Sequence, residues 1–516
     1  MRRTPPRGAP AWVSGEHVVA TLANRVADHR ARTLPCRDVT LDRQAPCPSC
    51  GAPIVFKFGN AQAQVCAYCR AVVARTDRGL YVSGRMAELL ELPSPLVVGT
   101  GGFWGGRRFE VEGRVQMDRA ERASAPWQEI LVSFPDDGSY AWLAHAQGRW
   151  YATRETPAVD RLPGAAELRP GAHVYLGGEA WVVQEVGARR VVSGEGAQTG
   201  VPRPGVVTRY ADISAQGDRF GTIDYGDGSA PPVLFLGKRF DPTELRPDSG
   251  VPLEQPGAQA TALDCPTCAA ALPLLSQAAE RVICQYCGTA SDVTAGALRA
   301  LGPSPRPPFP PVLPIGAQGV VRGVSTTVCG FMRRSCTDEG EVTAWTEYLL
   351  WGGAAAGYCW LVDEDGEWSL VTPIEAGDVV DAGSSALYRG KTYSFKHMVG
   401  ASVDCVVGEF YWRVEAGDEV DATELTGPGG KISRESSDGE VNYSWCVPFD
   451  RQELAAFGVA PPPRKFKLPG GDGSSTWITW AILIAFVILI VALDECDGCG
   501  GGGSYHGGSG FGFGGK

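Results

Sequence analysis

Residues Cys47 to Cys69 read CPSCGAPIVFKFGNAQAQVCAYC, and residues Cys265 to Cys287 read CPTCAAALPLLSQAAERVICQYC. The four cysteines of the first stretch return 218 residues later, with fifteen residues between the Cys-x-x-Cys pairs in both. Two thiolates on one tight turn, answered by two on a second turn, can close a tetrahedral four-sulfur site above a short hairpin. Pro48-Ser49 answers to Pro266-Thr267, Ala67-Tyr68 answers to Gln285-Tyr286, and Ile54-Val55-Phe56 supplies a strand between the turns. The spacing predicts two zinc ribbons, with Zn2+ held by Cys47, Cys50, Cys66 and Cys69 and by Cys265, Cys268, Cys284 and Cys287. A thioredoxin-like dithiol would need one pair at a helix start in a βαβ unit, which the flanks do not offer. Buried free thiols would leave the repeated spacing without a cause.

The offset continues outward from the cysteines. Trp127-Gln128-Glu129 with Leu131 becomes Trp345-Thr346-Glu347 with Leu349, and Tyr140-Ala141-Trp142-Leu143 becomes Tyr358-Cys359-Trp360-Leu361. Gly148 and Trp150 become Gly366 and Trp368, after which the offset drifts to 214, Gly194-Glu195 answering to Gly408-Glu409. Matching Cys and Trp positions at one offset mark a tandem duplication. Within each copy the pattern is β: Phe109, Val111, Val115 and Met117 alternate with Arg108, Glu110, Glu112, Arg114 and Gln116, the two-residue period of a half-buried strand. Asp137-Gly138, Asp365-Gly366 and Asp438-Gly439 supply hairpin turns between strand-like runs. The predicted fold is mainly β: two tandem units, each a four-cysteine zinc ribbon plus an antiparallel β-sandwich or small barrel of roughly seven to ten strands, then one transmembrane helix.

Composition sets the boundaries. A basic N-terminal segment (1–40) precedes ribbon 1 (41–75) and β body 1 (94–250); ribbon 2 (259–292), a Pro-rich linker (302–314) and β body 2 (315–455) follow. After a linker (460–476), residues 477–493, WITWAILIAFVILIVAL, run without a charge for about 25 Å as a helix, and a Gly-rich tail (494–516) ends the chain. Arg464, Lys465 and Lys467 precede that run while Asp494, Glu495 and Asp497 follow it. The positive-inside rule then predicts a single-pass protein of the bacterial inner membrane, bulk cytoplasmic and tail outside, in agreement with reduced zinc thiolates. Cys496 and Cys499 form a fifth Cys-x-x-Cys without a partner pair, open to a redox disulfide, a weak metal site or plain interfacial thiols. The early arginines are not followed by an apolar run, which excludes a secretory signal.

The chain of 516 residues carries 47 Lys and Arg against 58 Asp and Glu, a net charge of −11, which weighs against a dedicated nucleic-acid binder. The ribbons agree, since their only charged residues between the outer cysteines are Lys57 in one and Glu280 and Arg281 in the other. Six histidines never cluster at ligand or catalytic spacing. Gly390-Lys391-Thr392 fails as a phosphate loop because Ser385 stands where a glycine is needed, so a hairpin explains it better. Glycines 99, 101, 102, 105 and 106 around Phe103-Trp104 miss the dinucleotide spacing and instead bend strands. Glu129 and Glu347 are the repeated acids; face-to-face bodies would let them act as acid and base, although a carboxylate beside a strand Trp is usually a solvated face or a ladder hydrogen bond. The repeated aromatics are core anchors by default, with a groove lined by some of them as the alternative.

The Trp-x-Glu-x-Leu and Tyr-x-Trp-Leu blocks in both copies, with Phe410-Tyr411-Trp412-Arg413-Val414 and Asp438-Gly439-Glu440-Val441 in the second, resemble the bacterial family known as domain of unknown function number 4178. The resemblance runs from about Cys47 onward. It implies a membrane-anchored cytosolic protein without established catalytic residues. In the first copy no counterpart of Phe410 to Val414 is legible around Ala197 to Val201. The resulting expectation is a scaffold with two structural zinc sites that holds protein partners at the membrane, touching the bilayer through 477–493. An enzyme or small-molecule sensor with a site between or within the two β bodies is the alternative.

Overall fold

A strand whose residues alternate inward and outward can be buried on one face by stacking two sheets or by rolling one sheet into a tube, and rolling removes the exposed edges. This chain rolls. In the computed structural model, residues 43–460 are described apart from 78, 91–93, 121–126, 147, 159, 254–260, 277–278, 295–296, 339, 354–355 and 438. Arg107–Arg119 (β1), Trp127–Phe134 (β2), Ser139–Ala146 (β3) and Arg149–Glu155 (β4) form one antiparallel meander, and Glu179–Gln198 (β5), Val207–Ala215 (β6), Arg219–Gly226 (β7) and Val233–Phe240 (β8) form another. β4 pairs with β8 and β5 with β1, closing an eight-stranded antiparallel barrel in the order β1-β2-β3-β4-β8-β7-β6-β5. The second unit repeats this order with Val324–Asp338 (β9), Glu341–Trp351 (β10), Tyr358–Glu364 (β11), Glu367–Ile374 (β12), Lys391–Phe410 (β13), Glu419–Gly427 (β14), Gly430–Ser436 (β15) and Val441–Phe449 (β16). Of the two expected architectures, the barrel is the one formed. An eight-stranded interior is just wide enough to be filled by side chains or to hold one small ligand.

Gly105 and Gly106, read from the sequence as bending strands, form a tight hairpin turn instead, at φ 56° and 81°, and lead into β1. Gly390 forms the turn expected of it: Arg389 and Gly390, at 50° and 72°, open β13, so Gly390-Lys391-Thr392 is a hairpin turn. β5 and β13 span twenty residues each and do two jobs. Their first halves pair inside the barrel with β6 and β14; their second halves cross β1 and β9 and take on a strand of the four-cysteine module, Gly196 opposite Val65 and Gly408 opposite Ile283. Backbones meet closely at that crossing: a Cβ on Gly113 would stand 1.9 Å from the Ala197 oxygen, and one on Gly408 would stand 2.3 Å from the Cys329 oxygen. The register corrects the sequence alignment here. Gly196, not Gly194, is the counterpart of Gly408, so the Phe410–Val414 block answers to Gln198–Pro202.

The two units touch directly. The Val186 amide donates to the Gly439 oxygen at 2.8 Å, Arg149 donates to Glu375 at 2.5 Å, and Val182 of β5 packs into a core cluster of the second unit with Val379 and Tyr388. The Pro-rich stretch 302–314 is not a free spacer: Leu313 is fully buried in the second unit and the Val312 amide donates to the Tyr348 hydroxyl at 3.0 Å. Its prolines keep the chain extended while Leu313 is buried, Val312 is half-buried and Phe309 stays exposed.

One expectation is withdrawn. Among the described residues no helix is long and apolar enough to cross a membrane, so the single-pass inner-membrane location with a cytoplasmic bulk and an outer tail is not supported. The segment 477–493 on which it rested lies outside the described residues, as do residues 1–40, the linker beyond 460, the tail 494–516, and Cys496 with Cys499.

Candidate functional site

Walking the ladder around each barrel pairs every inward position of one copy with its counterpart in the other, and the comparison separates two interiors built on one frame. The second is packed. Trp345, Trp360, Val362, Val371 and Val403 belong to one buried cluster, closed by Phe410 and Trp412, whose rings lie 6.4 Å and 5.5 Å from Trp360. The first is hollow: a cavity of about 440 Å³ occupies its interior, walled by Trp127, Trp142, Tyr151 and Phe220. Smaller or more polar residues leave that space. Ala144 and Thr153 stand where the second copy has Val362 and Val371, and Gln198-Thr199-Gly200 stand where it has Phe410-Tyr411-Trp412. Trp142 accordingly donates its indole N–H to the Thr199 hydroxyl at 3.0 Å instead of meeting aromatic rings.

The Trp-x-Glu motif has one local cause in both copies. Residues two apart on a strand share a face, so the Trp127 indole donates to Glu129 at 3.2 Å and the Trp345 indole to Glu347 at 2.6 Å. Each glutamate then shares an arginine with a second acid. Arg189 lies 3.3 Å from Glu129 and 2.8 Å from Asp224, while Arg334 lies 3.6 Å from Glu347 and 2.6 Å from Glu435. The acids occupy matching positions, but the arginine comes from β5 in the first barrel and from β9 in the second. Burial pushes the Glu347 carboxyl up to about 8. Glu129 and Glu347 thus face the interiors of different barrels, and the acid–base pair between the bodies does not form.

A further group of charges lines the first lumen. Arg119 holds Glu185 at 2.7 Å, and the Tyr210 hydroxyl donates to Glu185 at 2.5 Å. Asp212 accepts from the Thr222 hydroxyl at 2.6 Å and has no ion pair among the described residues; burial, then the Glu185 charge, raises its carboxyl to about 7. The matching acid of the second barrel is Glu424, which the Lys431 ammonium meets at 2.9 Å. Where Lys431 stands, the first barrel has Phe220, its ring 4.4 Å from that of Tyr151 and tilted by 38°. Residues of the second unit roof the cavity, among them Trp412, Glu440 and Arg413, the last 3.5 Å from Glu280.

The cysteines come together as the spacing predicts. In each quartet all sulfurs lie within 4.8 Å of one another, with Cys47–Cys69 and Cys50–Cys66 at 3.7 Å, Cys265–Cys287 at 3.5 Å and Cys268–Cys284 at 3.7 Å. Four thiolates about 2.3 Å from a tetrahedral zinc would stand about 3.8 Å apart, so the donor set fits that ion. Four equivalent turns hold them: the carbonyls of Cys47, Cys66, Cys265 and Cys284 accept from the amides of Gly51, Arg70, Ala269 and Gly288, each of which has a positive φ. The Ala71 amide draws the Cys69 thiol down to about 6, and the Thr289 hydroxyl, followed by its amide, draws Cys287 down to about 6. The second module also reaches the roof. Arg281, Val282 and Ile283 pair with Phe410, Glu409 and Gly408, and the Glu280 amide donates to the Phe410 oxygen at 2.9 Å.

Asp212, Phe220 and Arg189 escaped the sequence reading because the connection before β5 (156–178) is longer than the one before β13 (375–390), which displaces their counterparts from the constant offset. A ladder, not an alignment at fixed distance, exposes the Phe220–Lys431 difference. Among known proteins, the family described as a domain of unknown function (DUF4178) matches residues 98–242 and 314–447, more than half of the chain and once per barrel. No curated protein and no solved structure matches.

Proposed function

This chain belongs to the DUF4178 family, whose description carries no activity, and from its geometry we propose that it binds a small polar molecule inside the first barrel while two structural Zn2+ ions brace the four-cysteine modules. One observation carries the reading: of two barrels built on one frame, one holds a buried aromatic cluster in its interior and the other lines a cavity of about 440 Å³. That volume lies in the range of small-molecule sites, and its aromatic walls with a few fixed polar groups are what such sites use for affinity and orientation. The second unit acts as filler and roof. Zn2+ supplies no chemistry in the lumen; its role is to hold the hairpin whose strand carries Glu280 and braces the 408–410 segment.

The second barrel supplies the test. Gly200→Trp with Ala144→Val rebuilds two of its filling residues in the first lumen, and a Cβ at position 200 meets nothing within 4 Å. Small molecules released on denaturing the purified full chain, identified by mass spectrometry, are expected from the natural sequence and absent from the folded double variant. Equal release from both would place binding elsewhere and end the proposal.

A further inference from the structure

We infer that the ligand of the first barrel is a small organic cation whose ammonium or guanidinium group stands against Asp212, where the second barrel places Lys431 against Glu424. The inference rests on the lumen being a binding site. Four carboxylates of the first barrel line the cavity (Glu129, Glu185, Asp212 and Asp224) against three guanidiniums, Arg119, Arg189 and Arg203, while the second unit adds Glu280, Glu440 and Arg413 at the roof. Those three are committed, Arg119 to Glu185, Arg189 to Glu129 and Asp224, and Arg203 to Asp227. Interior charges are retained where they are paired, and this frame shows its own way of pairing the remaining acid: an internal ammonium at 2.9 Å. In the first copy that side chain has become Phe220, and beside it lies the open cavity. The absence of a lysine at this position and the space to admit a cation coincide in the first barrel. Phe220 and Tyr151 line the cavity there, and an organic cation is attracted to an aromatic ring as well as to a carboxylate.

Three probes of one shape and different charge separate the possibilities: benzylammonium, benzyl alcohol and benzoate, titrated calorimetrically into the zinc-loaded full chain. Benzylammonium is expected to bind at least about tenfold more tightly than the alcohol, and benzoate more weakly still, because charge-assisted contacts are about twice as strong as neutral ones. Phe220→Lys restores the second barrel's internal cation and is expected to abolish the preference for benzylammonium. Asp212→Asn, which keeps the acceptor for Thr222, is expected to remove it as well. Equal affinity for alcohol and ammonium, or an unchanged preference in folded Phe220→Lys, overturns the cation assignment and leaves the lumen as a site. Benzylammonium binding that survives Gly200→Trp with Ala144→Val overturns the lumen itself, and failure of all three probes to bind overturns the cation assignment.

Discussion

Stripping the metal with a chelator is expected to unfold the two four-cysteine hairpins before either barrel loosens, the largest single perturbation this chain should undergo. The second hairpin buries little apart from its own small cluster, and the first shares a core with Leu131 and Ala197 of its barrel; metal affinity, on the order of 10–16 kcal/mol in isolated zinc-binding peptides, is expected to supply most of the folding free energy of each hairpin. Elemental analysis should find two zinc atoms per chain, falling to one in Cys284→Ser. Hydrogen exchange followed by mass spectrometry should then show fast exchange at 281–294 and, because Arg281 to Ile283 are laddered to 408–410, added exchange at the cavity roof. Barrel peptides such as 358–374 should stay protected. Full protection of both hairpins after chelation would show that they stand without metal.

Arg334→Met should destabilise the chain by about 3–5 kcal/mol, because the substitution leaves Glu347 and Glu435 buried without the guanidinium that they share. Methionine is the residue that the first barrel carries at this position, Met117, so size and shape are already compatible with the frame. The first barrel also shows the remedy. Its arginine enters one strand over, at Arg189, whose counterpart is Ala401. Adding Ala401→Arg to Arg334→Met should therefore recover more than half of the lost stability in denaturant melts. No recovery in a folded double variant would mean that the two arginines are not interchangeable supports of the same acid pair.

Much of the architecture was legible in the residues. The cysteine quartets needed only their spacing, and the duplication needed only Trp and Cys positions, because both depend on local geometry that survives drift elsewhere. The antiparallel β character of each body, at roughly seven to ten strands, followed from length, from the alternation at 108–117 and from Asp-Gly steps. Closure did not, since an inward-facing residue alternates identically in a sandwich and in a barrel. The cavity was hidden for a related reason: Trp127 and Trp345 occupy the same register and make the same indole bond, and only the third-dimensional neighbours, Gly200 against Trp412, decide whether the space beside them is open. Leu313 was hidden among prolines that read as a spacer.

The claim that one copy is hollow and the other filled is tested most directly by Thr153→Cys and Val371→Cys, substitutions at matching positions in the two interiors. Each full-length variant is exposed to a small methanethiosulfonate reagent under native conditions, and modification at the new thiol is read by peptide mass spectrometry. The account predicts modification at 153 within minutes, slowed when a lumen ligand is present, and protection at 371 that persists until the chain unfolds. Equal rates at the two positions, whether both fast or both slow, would contradict it.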